Sequence, residues 1–246
     1  MKVDPSSKSA YVQDVFQRIA PRYDLMNRLM TGGQDLAWRK LVIRRAQIPA
    51  GGRVLDLGAG TGDLAREALR QQPACRPLAA DFTLEMMRVG KRSAPRPEPA
   101  LTWSCADALH LPFPNESFDA LISGFLLRNV VDIDQALREQ FRVLRPGARV
   151  VALDTTRPRP SLLSPFIRFH MRRVIPFLGE VLTGSRDAYV YLPSSSENFL
   201  LAEDLQARFE AAGFCQTGFQ RLMFGAVAVH WGVKPASPVF PHPTGK

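Results

Sequence analysis

Cysteine is scarce and scattered: Cys75, Cys105 and Cys215 share no Cys-x-x-Cys spacing and have no neighbouring histidine. Neither a zinc site nor a disulfide framework is expected, and a reducing compartment fits better. Histidine is as sparse. His110, His170, His230 and His242 stand alone in the sequence, which supplies no metal ligand set and no obvious catalytic base. The opening stretch, Met1 to Ser9, is short and polar and lacks the apolar run of a signal peptide, so the cytoplasm is the expected location. No uninterrupted apolar run of spanning length is present either. The segment Pro160 to Val181 is rich in Leu, Ile and Phe, but Arg168, Arg172, Arg173 and Pro176 break it, which argues against spanning a membrane.

What the chain does carry is enough apolar content for a large core, with 46% hydrophobic and 22% charged residues in 246. One α/β domain, with or without a lid, fits that length. The formal charge of +9 favours an anionic partner: nucleic acid, a membrane surface or an acidic ligand. Arginines and lysines crowd two stretches, 18 to 45 and 157 to 186. There is no aromatic-rich RNA motif and no helix-turn-helix signal, so a nucleic-acid partner is not expected.

Short apolar segments bounded by Gly, Pro or Asp alternate with helical patterns through the middle of the chain. Strands are expected at Arg53 to Leu57, Pro77 to Ala80, Leu101 to Cys105, Phe118 to Ile122 and Ala148 to Leu153. Asp132 is a candidate N-cap for a crossover helix carrying Ile133, Ala136, Leu137, Phe141 and Leu144, with Pro146-Gly147 as its stop. A further apolar stripe, Leu201, Leu205, Phe209 and Ala212, precedes two strand-like runs, Gln216 to Arg221 and Ala226 to Val233, that would close the sheet as a hairpin. This pattern predicts a doubly wound, mainly parallel sheet with helices on both faces. Residues 1–50 read as a helical cap, 51–156 as the core, 157–198 as a helical lid over substrate and 199–234 as the closing helix and hairpin. The tail 235–246 holds four prolines and is expected to be disordered.

The sharpest local signal is Val54-Leu55-Asp56-Leu57-Gly58-Ala59-Gly60-Thr61-Gly62-Asp63, an apolar strand running into a glycine turn and then a helix. Glycines at 58, 60 and 62 permit left-handed backbone and let a ligand approach closely at the positive end of the next helix. The spacing Gly-x-Gly-x-Gly is not the dinucleotide Gly-x-Gly-x-x-Gly, and it better suits a methionine moiety than a pyrophosphate. Asp81, with Phe82 beside it, ends the second strand, where a carboxylate can accept both hydroxyls of an adenosine ribose. Asp107-Ala108 follow the third strand, where an adenine edge can be read. Singly, each of these is also an ordinary turn or cap. Their order along successive strands is what points to a nucleoside ligand at the carboxyl edge.

Beyond these residues, FQRIAPRYDLMNRLM at Phe16 to Met30 and LLRNV at Leu126 to Val130 resemble the two signatures of the demethylmenaquinone and ubiquinone-precursor C-methyltransferases. ADALHLPFP, RVLRPG, AYVYLP and AVAVHWGVKP extend the likeness from about Val12 to Pro235. The resemblance implies a seven-stranded class I methyltransferase fold, S-adenosyl-methionine as cofactor and a prenylated quinol as substrate. By position it places cofactor contacts on Thr61, Asp81, Asp107, Ala108 and Ser123, with Asp56, Gly58, Gly60, Gly62 and Phe82 alongside. Asp35 departs from the family's frequent histidine, and Asp154-Thr155 from its Glu-Phe pair.

Methyl transfer to a ring carbon asks the protein to orient the quinol and to stabilise its developing phenolate. Arg128 is the first candidate for that charge, with Asn129 as its neighbour and Tyr23, Asn27, Asp154 and Tyr189 as further candidates for substrate contact or proton handling. Each has a plain alternative: Asn129 as a cap, Arg128 as a solvated cation, Tyr23 as core packing, Asp154 as a cap. A lipid substrate would give Pro160 to Val181 a use as a peripheral membrane contact, against the alternative of a lid helix with snorkelling arginines. A homodimer is left open. Other small-molecule methyl acceptors, and a silent assembly subunit of a quinone-synthesising complex, are the competing readings.

Overall fold

The computed structural model describes residues 5–94, 98, 100–157, 173 and 199–236. The expected lid, apart from Arg157 and Arg173, together with Tyr189, the segment Pro160 to Val181 and the tail from 237, lies outside the described residues.

Three helices, α1 (Pro5–Ile19), α2 (Tyr23–Met30) and α3 (Asp35–Ala46), precede the sheet. Strands β1 (Arg53–Leu57), β2 (Arg76–Asp81), β3 (Thr102–Cys105), β4 (Phe118–Gly124) and β5 (Leu144–Thr155) follow. They alternate with α4 (Asp63–Gln71), α5 (Leu84–Ser93) and α6 (Ile133–Val143). Helix α7 (Ala202–Ala211) then leads into β6 (Cys215–Leu222) and β7 (Val227–Val233). The seven strands lie in the order β3-β2-β1-β4-β5-β7-β6, with β7 antiparallel to both β5 and β6.

Side-chain alternation explains why both faces are covered. Leu55 and Leu57 of β1 join Leu121, Leu137 and Phe209 in one core, whereas Val54 joins Ile122, Val151, Trp38 and Val42 in the other. All ten are at most 4% exposed, and each such burial is worth about 1.5–3 kcal/mol before conformational entropy is counted. Asp56 shares its face with Val54 and so points toward α4.

The expected cap at Asp132 is present: its carboxylate accepts from Gln135 N at 2.9 Å. The expected stop at Pro146-Gly147 is corrected. Helix α6 ends at Val143 because Leu144 already pairs with Phe118 in the sheet, and Pro146-Gly147 fall in the register shift between that pair and Ala120–Arg149. Among the described residues no helix is long and apolar enough to cross a membrane.

Candidate active site

The strand order reverses between β1 and β4, and their carboxyl ends therefore open a crevice. A cleft of about 840 Å³, open mouth included, runs from Asp107 and Ala108 past Asp81 and Phe82 to Gly58, Gly60 and Asn129. A second lobe of about 440 Å³ continues it, with Asp24, Asn27, Arg39, Asp56 and Thr61 in its wall. Tyr23, Gly58, Gly60, Gly124 and Phe125 border both.

The glycine loop is shaped by its neighbours. Gly58, Gly60 and Gly62 all have positive φ, and the N–H groups of Gly58 and Ala59 donate to the Ala80 carbonyl at 2.8 and 3.0 Å. Asp81 accepts from Gly60 N and from Thr83 N, each at 2.7 Å. Burial raises its carboxyl above the usual carboxylate range, and these backbone donors oppose that shift. Each oxygen keeps further lone-pair capacity for a ribose. Asp107 is exposed and accepts from Leu109 N at 2.9 Å, while Ala108 is buried beside it.

Three expected cofactor positions sit differently from simple contact residues. Asp56 is fully buried, and its Oδ2 accepts from Ala65 N at 2.9 Å, tying the strand to the start of α4. Burial raises its carboxyl to about 7. Thr61 is 2% exposed, and its hydroxyl donates to Asp24 Oδ1 at 2.8 Å. Ser123 is 1% exposed, and it is the next residue, Gly124, that borders the cleft.

On the other side of the crevice, Arg128 is not the solvated cation of its plain alternative: its side chain is 7% exposed. Its backbone N donates to Asp154 Oδ2 at 3.2 Å, its Nη1 lies 3.8 Å from Asp154 Oδ1, and its guanidinium lies 4.8 Å from the centre of the Phe125 ring. The guanidinium thus lies against the Phe125 ring, which borders both lobes of the cleft. Its Nε has no hydrogen-bond partner among the described residues. Asp154 is fully buried; burial raises its carboxyl and the Arg128 charge opposes the shift. Burial also raises the Tyr23 hydroxyl, which is hydrogen-bonded by the Asn27 side chain. Asn129 Nδ2 donates to the Phe125 carbonyl at 2.9 Å, closing the turn that holds Phe125 at φ 58.

Sequence reasoning missed Asp24, Arg39, Asp63, Phe125 and Gly90. Arg39 reaches Asp63 through Nη1 and lies 3.2 Å from Asp35 Oδ2 through Nη2, which joins the cap to the head of α4. The adjacency of Asp24 to the recognised Tyr23 and Asn27 was the one available signal. Among the described residues no cluster could hold a metal ion.

Residues 4–234 match the model of the ubiE/COQ5 methyltransferase family. The chain belongs to that family. It is 42% identical to a ubiquinone/menaquinone biosynthesis C-methyltransferase UbiE of Desulfotalea psychrophila, over 93% of this chain and 92% of that protein. It is also 42% identical to a demethylmenaquinone methyltransferase of Thermus thermophilus, over 90% of this chain and all of that one. Among solved structures, the [4+2]-cyclase SpnF aligns with TM-score 0.66 at 19% identity, covering 92% of this chain and 96% of that one. Human N-acetylserotonin methyltransferase in complex with S-adenosyl-methionine aligns with TM-score 0.59 at 18% identity, covering 87% and 56%. These distant likenesses show the class I methyltransferase fold alone, and the cyclase illustrates that the fold hosts other chemistry. Family membership rests on the sequence match.

Proposed function

We propose that this protein transfers a methyl group from S-adenosyl-methionine to a ring carbon of a prenylated quinol, with demethylmenaquinol converted to menaquinol as the leading reaction. The observation that carries the reading is one cleft with unlike walls. Carboxylates at successive strand ends, Asp81 and Asp107, are suited to a nucleoside, and the aromatic residues Tyr23 and Phe125, which border both lobes, stand beside a buried cation where a ring can meet the cofactor. The names of the full-length relatives support the quinol as acceptor.

The bound cofactor would supply an electrophilic methyl group on a sulfonium. In this reading Asp81 accepts from the ribose hydroxyls, and Asp107 with the Ala108 N–H reads the adenine edge. A quinol ring carbon becomes nucleophilic as a phenolic proton passes to water at the open mouth of the cleft, and fixed positive charge stabilises the resulting oxyanion. Once the ring carbon holds the methyl group it loses its hydrogen as a proton while the oxygen regains one, which restores the quinol. Arg128 supplies the fixed positive charge, and Asp154 is its positioning residue through the backbone and guanidinium contacts above. Tyr23, kept neutral by burial, serves as a hydrogen-bond donor to a ring oxygen rather than as a base. Asn27 orients the phenol. The order of contacts turns a bimolecular encounter into a local one.

A prenylated acceptor also implies contact with a bilayer surface. Leu25, Leu29 and Leu36 on the cap are 51%, 43% and 40% exposed, and the exposed Arg22, Arg28 and Lys40 lie among them in sequence. That combination supports a peripheral contact with anionic lipid. Flotation with anionic vesicles, compared between wild type and a Leu25→Ser/Leu29→Ser variant, tests it; equal flotation would remove the cap from the contact.

The reaction itself is tested by methyl transfer from labelled cofactor to reduced demethylmenaquinone, with a benzoquinol precursor in parallel and mass spectrometry to locate the methyl group. A ring-carbon product is expected. No product with either acceptor, despite cofactor binding, would overturn the quinol reading in favour of another methyl acceptor.

A further inference from the structure

The sheet orders the cleft. Asp107 and Ala108 close β3 and Asp81 closes β2, so the nucleoside half of the cofactor belongs on that side, and the glycine loop after β1 comes next. The second lobe lies beyond the loop, and its walls are unlike the rest: three carboxylates, Asp24, Asp56 and Asp63, face one guanidinium, Arg39. Two of these four groups, Asp24 and Arg39, come from the cap and not from the sheet.

The carboxylates are crowded. Asp24 is held above the usual carboxylate range by burial and by the charge of Asp63, an arrangement that a bound cation would relieve. An independent observation points the same way. Asp56 is fully buried and borders this lobe, yet its Oδ1 has no hydrogen-bond partner among the described residues, Oδ2 alone being used by Ala65 N. A buried carboxylate oxygen without a donor is costly unless a ligand supplies one. A zwitterion, with an ammonium for the carboxylates and a carboxylate for the guanidinium, matches both signs of charge in the lobe.

We propose that the cap completes the cofactor site: Asp24, with the free oxygen of Asp56, takes the α-ammonium of the cofactor's amino-acid end, and Arg39 takes its α-carboxylate. The inference rests on S-adenosyl-methionine as cofactor and assigns residues to it that lie outside the glycine loop. It also makes cap docking and cofactor binding one event, because Thr61 on the loop donates to Asp24 on α2.

The test is calorimetric binding of two probes, S-adenosyl-homocysteine and 5′-methylthioadenosine, which keeps the nucleoside and lacks the amino-acid end. Wild type is expected to hold the first at least about tenfold tighter, the scale of one charge-assisted hydrogen bond. Asp24→Asn, which keeps an acceptor for Thr61, and Arg39→Gln should each weaken S-adenosyl-homocysteine about tenfold and leave 5′-methylthioadenosine within about twofold. Should Arg39→Gln fail to fold, Arg39→Lys keeps a cation for Asp63 and should lose affinity for S-adenosyl-homocysteine alone. Equal losses on both probes, or no loss on either, would overturn the proposal. Wild type binding neither probe would instead bring down the cofactor reading, and this inference with it.

Discussion

His230 Nε2 lies 3.0 Å from the carbonyl oxygen of Ala202, in the contact between β7 and α7. A carbonyl only accepts, so Nε2 carries the proton, and Nδ1 is buried without a partner among the described residues. Burial pushes the imidazole down to about 4 from its ordinary 6.5. The folded state therefore binds fewer protons than the unfolded state between those values. Stability is fully present above about pH 6.5 and is lost as pH falls toward about 4, by roughly 3 kcal/mol for this group. His230→Phe should lose that component: urea titrations at pH 7 and pH 4.5 are expected to show a smaller drop in the variant than in wild type. An equal drop would mean that His230 is charged in the folded protein.

Gly90 on α5 controls the cofactor loop from behind. A Cβ there would stand 2.5 Å from the Thr61 carbonyl oxygen and 2.8 Å from Trp103 Cη2. Arg66 binds the same two backbones, donating to the Thr61 and Gly90 carbonyls at 2.6 and 2.7 Å, so the loop has little freedom to yield. Gly90→Ala is predicted to destabilise the fold by about 1–3 kcal/mol through overpacking. It should also weaken S-adenosyl-homocysteine binding. Thermal melts and calorimetry report the two effects separately, and a lowered Tm with unchanged affinity would show that the strain goes into Trp103 instead.

If Arg128 stabilises a developing phenolate, its removal should reach turnover and spare the cofactor. Arg128→Ala is expected to lower kcat about 10²–10³-fold while the affinity for S-adenosyl-homocysteine changes less than about twofold. Arg128→Lys should be nearly as impaired, because an ammonium cannot reproduce the planar fork over Phe125 and toward Asp154. Asp154→Asn tests positioning: it keeps the shape and an acceptor for the Arg128 backbone N but not the charge, so an intermediate kcat is predicted. Wild-type turnover in Arg128→Ala would exclude this guanidinium from the chemistry.

The boundaries of β1, the cap at Asp132 and the closing hairpin were all legible in the sequence because each is decided locally, by alternation, by a capping side chain or by a glycine. The glycine loop was legible for the same reason. Arg39 with Asp63 and Asp24 with Thr61 were not, since the partners lie 24 and 37 residues apart and meet only when the cap packs on the sheet. Periodicity identifies an apolar face, not what a polar residue will find across from it. The inward turn of Arg128 escaped notice for a related reason: an arginine in a turn is ordinarily solvated, and only the burial of Asp154 at the end of β5 draws it in. The misplaced stop at Pro146-Gly147 shows local turn chemistry losing to sheet pairing at Leu144.

Asp56 should trade stability for function. Its carboxyl is raised by burial to about 7, well above the ordinary 3.8 of an aspartate, so the folded state binds the extra proton between those values. This contribution to stability is fully present below about pH 3.8 and is lost as pH rises through about 7, the opposite slope to that of His230. Asp56→Asn keeps an oxygen for Ala65 N and carries no charge to desolvate. At pH 8 the variant is predicted to be more stable than wild type by a few kcal/mol, and the difference should shrink as pH falls to 5. Denaturant titrations at the two pH values check the sign. Affinity for S-adenosyl-homocysteine should fall in the same variant, because an amide nitrogen replaces the free oxygen at the lobe. A variant that is less stable at pH 8 would mean that the buried oxygen is already satisfied, and that Asp56 is a clamp on α4 and nothing more.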